Sequence, residues 1–227
     1  ASSSSYNARQ VGQRYQRDVL TIHNGVDTDA FARRAQGGNL RGQWHIGGDD
    51  LLLVSVGRLV GWKGHDTIIR ALCELPDNVH FLIVGEGPER PVLEALAKSG
   101  KVERRVHFSG PVRHEELPSL LSDCDVLVQP STGEEAFGIS VVEGMAFGLA
   151  VLASDNGGLP EIVVDGTTGR LLPPGDAGAW RTAIAALLAD RQTLQRWAEA
   201  GRARAVEQFT WAANAARLEA LITGRAG

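Results

Sequence analysis

Six short apolar runs punctuate this chain, and helix-like stretches stand between them. The runs are Leu51–Val56, Val79–Val84, Val106–Phe108, Val126–Val128, Ala150–Ala153 and Arg170–Leu172. The helical patterns between and after them cover Thr67–Leu72, Glu89–Lys98, Glu115–Ser122, Ile139–Phe147 and Ala177–Ala189. Strands that are apolar throughout, rather than alternating, must be covered on both faces. Their regular exchange with helices means crossover units and a parallel sheet. Each crossover is right-handed. The sequence therefore predicts an α/β chain with a Rossmann-like, doubly wound parallel sheet of about six strands and helices on both faces. In such a sheet a ligand sits at the carboxyl ends of the strands. The glycine-rich turns Gly57–Gly64, Gly85–Pro88 and Asp155–Glu161 all fall at those ends.

The rest of the chain is less patterned. Ala1–Asn7 is Ser-rich, Ala8–Arg17 is a polar segment that reads as one or two helical turns, and Val19–Ile22 reads as a short strand. His23–Asp27 carries an Asn-Gly turn signal. Gly37–Asp50 reads as a loop. At the far end, Arg191–Glu207 is an Arg-rich helix, and Thr210 is placed to cap a last helix, Trp211–Ile222. The opening ASSSSY has neither the basic flank nor the apolar core of a signal peptide, and no apolar run approaches membrane-spanning length. A net charge of −4 and a pI near 5.9 argue against a partner bound through a nucleic-acid backbone. Cys73 and Cys124 read as small buried hydrophobes in a reducing compartment. With two cysteines not in C-x-x-C spacing and six scattered histidines, no metal site is expected.

The chemistry concentrates in Ser131–Gly148, STGEEAFGISVVEGMAFG, where Glu135 and Glu143 stand eight positions apart. An apolar strand precedes the segment, Ala136–Gly138 turns, and a helix begins at Ile139. The first N–H groups of a helix lack intrahelical partners and carry the positive end of its dipole. Glu143 lies one turn inside that mouth, and Glu135 lies before it on the opposite side. The arrangement suits a ligand with phosphate in the middle and hydroxyls at both ends, as in a nucleotide-sugar. Arg58 and Lys63 flank the turn after the first strand and offer a planar fork and a point charge to a diphosphate. Each feature alone also has a plainer description: a solvated helix face, or a pair of surface charges. Lys63 does not belong to a Walker A loop, which needs Gly-Lys-Ser/Thr. Gly85-Glu-Gly-Pro-Glu-Arg90 starts like a dinucleotide fingerprint, but Arg90 stands where its third glycine should be. It reads as a tight turn with Pro88 at the first helical position. His114 reads as a cap or surface residue, and Glu161 as the cap of its own short helix.

In this order the motifs resemble a known family. The stretch E-x-F-G-x4-E over Glu135–Glu143 resembles the E-x7-E motif of retaining glycosyltransferases of the GT-B fold, glycosyltransferase family 4 in particular. Gly57-Arg58 with Lys63-Gly64 resembles that family's G-R…K-G, and Gly157–Glu161 its G-G-x-P-E. Asn24–Asp27 followed by Phe31 resembles its crossing from N-terminal to C-terminal domain. The likeness runs from about Val19 to the end, with small departures such as Gly144 where the family usually has Ala.

The resemblance implies roles for individual residues. Glu143 would accept from the ribose hydroxyls. Val112 would meet the nucleobase through backbone groups. Phe137, Gly138, Ile139 and Ser140 would hold the sugar and distal phosphate, with Arg58 and Lys63 on the diphosphate and Glu135 at the donor sugar. Fixed dipoles at the mouth favour charge growing on the departing diphosphate. Residues 1–18 would then be the remnant of an absent acceptor domain and its linker, 19–209 the nucleotide-sugar-binding domain, and 210–227 a C-terminal helix. The implied activity is transfer of a hexosyl unit from a UDP- or GDP-linked donor to a glycan, lipid or small-molecule acceptor. No cofactor or metal is implied, and this chain alone would be inactive without the acceptor domain. The implied setting is cytoplasmic, peripheral at the inner membrane face if the acceptor is lipid-linked, with self-association open to the C-terminal helix. A non-catalytic nucleotide-binding module, a related sugar phosphorylase and an NAD-dependent oxidoreductase are the other readings. A glycosidase ranks below them, because an anion site between the carboxylates suits a phosphate better than a water.

Overall fold

A computed structural model describes residues 1–32 and 39–223. Among them six strands form one parallel sheet, in the order β3-β2-β1-β4-β5-β6. The strands are β1 (Leu51–Val56), β2 (Val79–Val84), β3 (Val106–Gly110), β4 (Val126–Gln129), β5 (Ala150–Ser154) and β6 (Arg170–Leu172). The helices are, in chain order, α1 (Ser5–Tyr15), α2 (Thr28–Ala32), α3 (Leu40–Gln43), α4 (His65–Leu72), α5 (Arg90–Ser99), α6 (Leu117–Leu121), α7 (Ile139–Phe147), α8 (Leu159–Ile162), α9 (Ala177–Ala189), α10 (Arg191–Gln208) and α11 (Trp211–Ile222). The chain winds outward from β1 to β3, returns to β4 beside β1, and winds the other way. That reversal opens a crevice between the loops after β1 and β4.

Register explains the unbroken apolar runs. Leu51 pairs with Val79 and Val56 with Val84 across β1 and β2, while Leu53 pairs with Val126 across β1 and β4. Successive side chains point to opposite faces. Leu52, Val54, Leu127 and Val151 pack with Val141, Met145, Phe147 and Phe209 on one side. Leu51, Leu53, Phe81 and Leu152 pack with Ile68, Leu72, Trp180 and Ile184 on the other. Gly144 has a packing reason here: a Cβ on it would lie 2.6 Å from Leu127 Cδ1, so the glycine lets α7 sit close on β4.

Several local expectations are corrected. Val19–Ile22 adds no strand to the sheet; Thr21 makes only a lone bridge with Ser2. The polar start forms a full helix, α1, because Ser4 caps it by accepting from Asn7 N. The segment read as a loop over Gly37–Asp50 contains α3, and Gly37 and Gly38 lie outside the described residues. Pro88 stays in the turn, since α5 begins at Arg90 and Pro91 takes the early helical position. Cys124 is buried but Cys73 is exposed.

Glu161 differs most. It does not cap its own helix but accepts from Ser5 N at 2.8 Å and Tyr6 N at 2.7 Å, at the start of α1. His23 Nε2 lies 3.1 Å from the same carboxylate. Burial works against the charged form, yet these donors hold the carboxyl below its ordinary range. His23 in turn stacks on Phe137 with ring centroids 5.5 Å apart. The N-terminal segment is thereby tied to the loop that carries Glu135.

Thr210 caps α11 as expected, accepting from Ala213 N. That helix leaves Trp211, Leu218 and Ile222 exposed, and residues 224–227 lie outside the described residues. No described helix is long and apolar enough to cross a membrane.

Candidate active site at the switch point

The loop after β1 enters the crevice through two backbone constraints. Gly64 has φ +69°, and a Cβ there would stand 2.0 Å from Pro130 O. Only glycine accepts that conformation and that approach without strain. The loop after β4 therefore rests on the loop after β1, and Thr132 N and Gly133 N both donate to Trp62 O. Lys63 is brought to Glu135 by this contact: Nζ lies 2.7 Å from Oε2, with both side chains largely shielded from solvent. The same ammonium lies 4.7 Å from the centroid of the Trp62 ring, close enough for a cation–π contact.

On the other side of the pair α7 begins. Gly138 supplies no side-chain cap. Among the described residues no backbone carbonyl accepts from the N–H groups of Phe137, Gly138, Ile139 or Ser140. Lys63, Glu135, Ala136 and these four residues line one cleft of about 280 Å³, together with Ser3 and Asn24. An ammonium, a carboxylate and an uncapped helix mouth in one small cleft can seat an anion beside a group that accepts hydroxyl hydrogen bonds. Three roomier clefts lie elsewhere: 740 Å³ along α1, 620 Å³ between β6, α9 and α10, and 400 Å³ beside His80 and Arg105. None of them includes the start of a helix together with a paired ammonium and carboxylate, and charge chemistry rather than volume singles out the smaller one.

Not every expected site residue lies in that cleft. Arg58 is exposed, and its side chain makes no hydrogen bond or ion pair among the described residues. Val112 is half-buried and packs against the core cluster that contains α7. Glu143, four residues into α7, is not a lining residue of the cleft. It pairs with His114, Nε2 to Oε1 at 3.2 Å, with its own side chain 12% exposed. Burial pushes the Glu143 carboxyl up to about 7, and His114 only partly offsets that. Two other strongly shifted groups, His65 and His107, are each held down to about 4 chiefly by burial. Neither lines the cleft.

Sequence reasoning missed three participants. His114 was legible only as a helix-start histidine, since its partner lies across the fold. Gln129 and Ser131 read as the end of a strand and a turn, yet both are buried against Glu135. A buried Gln closing an apolar run was the one available signal.

Residues 38–204 match the model of glycosyl transferases group 1. The chain belongs to that family. Among the curated relatives of this group 1 domain is a GDP-mannose-dependent alpha-(1-6)-phosphatidylinositol monomannoside mannosyltransferase of Mycolicibacterium smegmatis. It is 37% identical over 212 residues, covering 88% of this chain and 55% of the relative. A D-inositol 3-phosphate glycosyltransferase of Xylanimonas cellulosilytica is 35% identical over 198 residues, covering 86% and 46%. The group 1 domain described here thus spans about half the length of the curated relatives it matches. Among solved structures, Anabaena Alr3699/HepE in complex with UDP and glucose aligns with a TM-score of 0.86 at 27% identity, covering 98% of this chain and 62% of that one. The C-terminal domain of a glycosyl transferase group 1 family protein (LpcC) from Francisella tularensis aligns with a TM-score of 0.72 at 25% identity, covering 82% of this chain and all of that one.

Proposed function

We propose that this group 1 glycosyltransferase domain is the donor half of a retaining GT-B enzyme of family 4. It binds a nucleoside diphosphate sugar and, together with a domain that presents the acceptor, transfers the hexosyl unit with its anomeric configuration kept. What carries the reading is the single cleft in which Lys63, Glu135 and the uncapped start of α7 meet. In this reading Lys63 and Arg58 draw the diphosphate, and the N–H groups of Phe137–Ser140 receive the distal phosphate and the sugar. Glu135 faces the sugar where its bond breaks. Glu143 accepts from the ribose, and backbone groups near Val112 meet the base. The positive charge the leaving diphosphate needs comes from side chains and the helix mouth, without a resident metal. The exposed face of α11 is where the acceptor domain or a second copy would pack. The GDP-mannose dependence in the name of the Mycolicibacterium smegmatis relative and the UDP in Anabaena HepE both fit such a donor.

The test is an assay of UDP-glucose and GDP-mannose as donors, with and without an acceptor domain, reading the anomeric configuration of the product by NMR. The expected result is binding without transfer by this chain alone, and a retained configuration when the acceptor domain is present. Transfer by this chain alone at the rate of a whole enzyme, or inversion, would overturn the proposal.

Protonation of Glu143 gives a second check. Its carboxyl sits near 7 in the folded protein, above the ordinary carboxylate value. Raising the pH through 7 therefore creates the carboxylate that accepts two ribose hydroxyls, and lowering it removes that acceptor. Nucleoside diphosphate affinity should rise by up to about tenfold from pH 6 to pH 8. The phosphate's own titration is common to both proteins when the series is repeated with Glu143→Gln, which should lose this part of the slope. Equal slopes would remove Glu143 from the ribose.

A further inference from the structure

Glu135 is held by more than its lysine. Its Oε2 accepts from Lys63 Nζ at 2.7 Å, from Gln129 Nε2 at 3.1 Å and from Ser131 Oγ at 3.1 Å. Gln129 Nε2 also lies 2.9 Å from Ser131 Oγ. At the other end of the same amide, Gln129 Oε1 accepts from Ser140 Oγ at 3.1 Å. All three bonds to the carboxylate fall on one oxygen, and Oε1 takes none among the described residues.

Burial makes this arrangement informative. Gln129 is 1% exposed and Ser131 is fully buried. Gln129 is the last residue of β4, where Val126–Val128 are apolar, and an apolar side chain there would satisfy the sheet. A buried amide is costly unless its donors and acceptors are met, and here they are met by the site. Because Ser140 occupies Oε1, the amide nitrogen is left to face Glu135. A line of hydrogen bonds thus runs from the mouth of α7 through Gln129 to the carboxylate.

We propose that Gln129 and Ser131 are positioning residues for Glu135. They fix its Oε2, so that Oε1 is presented to the donor sugar, and they keep that orientation when Lys63 turns from Glu135 to an arriving diphosphate. The proposal rests on the nucleotide-sugar reading of the cleft. It separates two parts of donor binding: Lys63 and the helix mouth serve the diphosphate, whereas Gln129 and Ser131 serve only the sugar.

Calorimetric titration of the chain and of its Gln129→Met and Ser131→Ala variants tests it, using UDP, GDP, UDP-glucose and GDP-mannose. Methionine matches the length of glutamine but removes its amide, and Ser131→Ala is the second route should Gln129→Met fail to fold by circular dichroism. The expected result is a loss of about tenfold in affinity for the sugar conjugate that the parent binds, with the matching diphosphate changed less than about twofold. Unchanged affinity for the conjugate in both variants, with the parent binding normally, overturns the positioning role alone. Equal losses for diphosphate and conjugate also overturn it and leave the pair a structural part. A parent chain that binds no diphosphate, or a diphosphate but not its conjugate, overturns the nucleotide-sugar reading and this proposal with it.

Discussion

Lys63→Ala is expected to weaken nucleoside diphosphate binding by about 1–3 kcal/mol while leaving the binding of a bare nucleoside unchanged. The side chain is placed before any ligand arrives. Its ammonium lies between the Trp62 ring and Glu135. An ammonium already held at the cleft has only to turn from Glu135 to meet a phosphate. Removing it has a second effect with the same sign. Glu135 would then face the cleft without its cation, and an arriving diphosphate would meet an uncompensated carboxylate. Both effects act on phosphate and neither on a nucleoside. Parallel titrations with a nucleoside and its diphosphate check this, and equal weakening of the two would show that Lys63 is not a phosphate ligand.

Glu135→Gln should separate binding from chemistry. The substitution keeps the shape of the side chain and removes its charge. In an enzyme completed by an acceptor domain, transfer is expected to fall by about a hundredfold or more, the scale on which loss of a group acting on transition-state charge is felt. Nucleoside diphosphate binding should hold or tighten, because the change frees Lys63 from the 2.7 Å pair that occupies it. Single-turnover rates beside equilibrium titrations provide the check. Loss of nucleotide binding, with transfer by the bound fraction intact, would move Glu135 from the sugar to the ribose or to the fold.

Most of the fold was legible, for a physical reason. A parallel sheet covered on both faces needs strands that are apolar throughout, and β1, β2 and β6 begin and end where their runs do. Helix ends were legible where a local residue fixes them: Gly148 ends α7 at φ +98° and Thr210 caps α11. Part of the candidate cleft was legible, Lys63, Glu135 and Phe137–Ser140, because charged and glycine positions punctuate the same strand ends, whereas Arg58, Val112 and Glu143 do not line it. The pairings in the cleft were not legible. Lys63 meets Glu135 across 72 positions, and which loops touch is set by strand order, which periodicity does not report. Glu161 was misassigned for the same reason: its local helix offered a plausible cap, but the donors it binds come from 155 and 156 positions away. Gln129 escaped notice because one polar residue at the end of an apolar run looks like the end of a strand. Its burial becomes evident only once β4 is seen with Ser140 and Glu135 around it.

The most direct measurement is a calorimetric titration of the chain with UDP, GDP and ADP, with NAD as a control. Saturable binding of one diphosphate in preference to the others, with NAD silent, is the predicted result and names the base of the donor. Binding of NAD in their place, or of no diphosphate at all, would contradict a nucleotide-sugar cleft at the switch point.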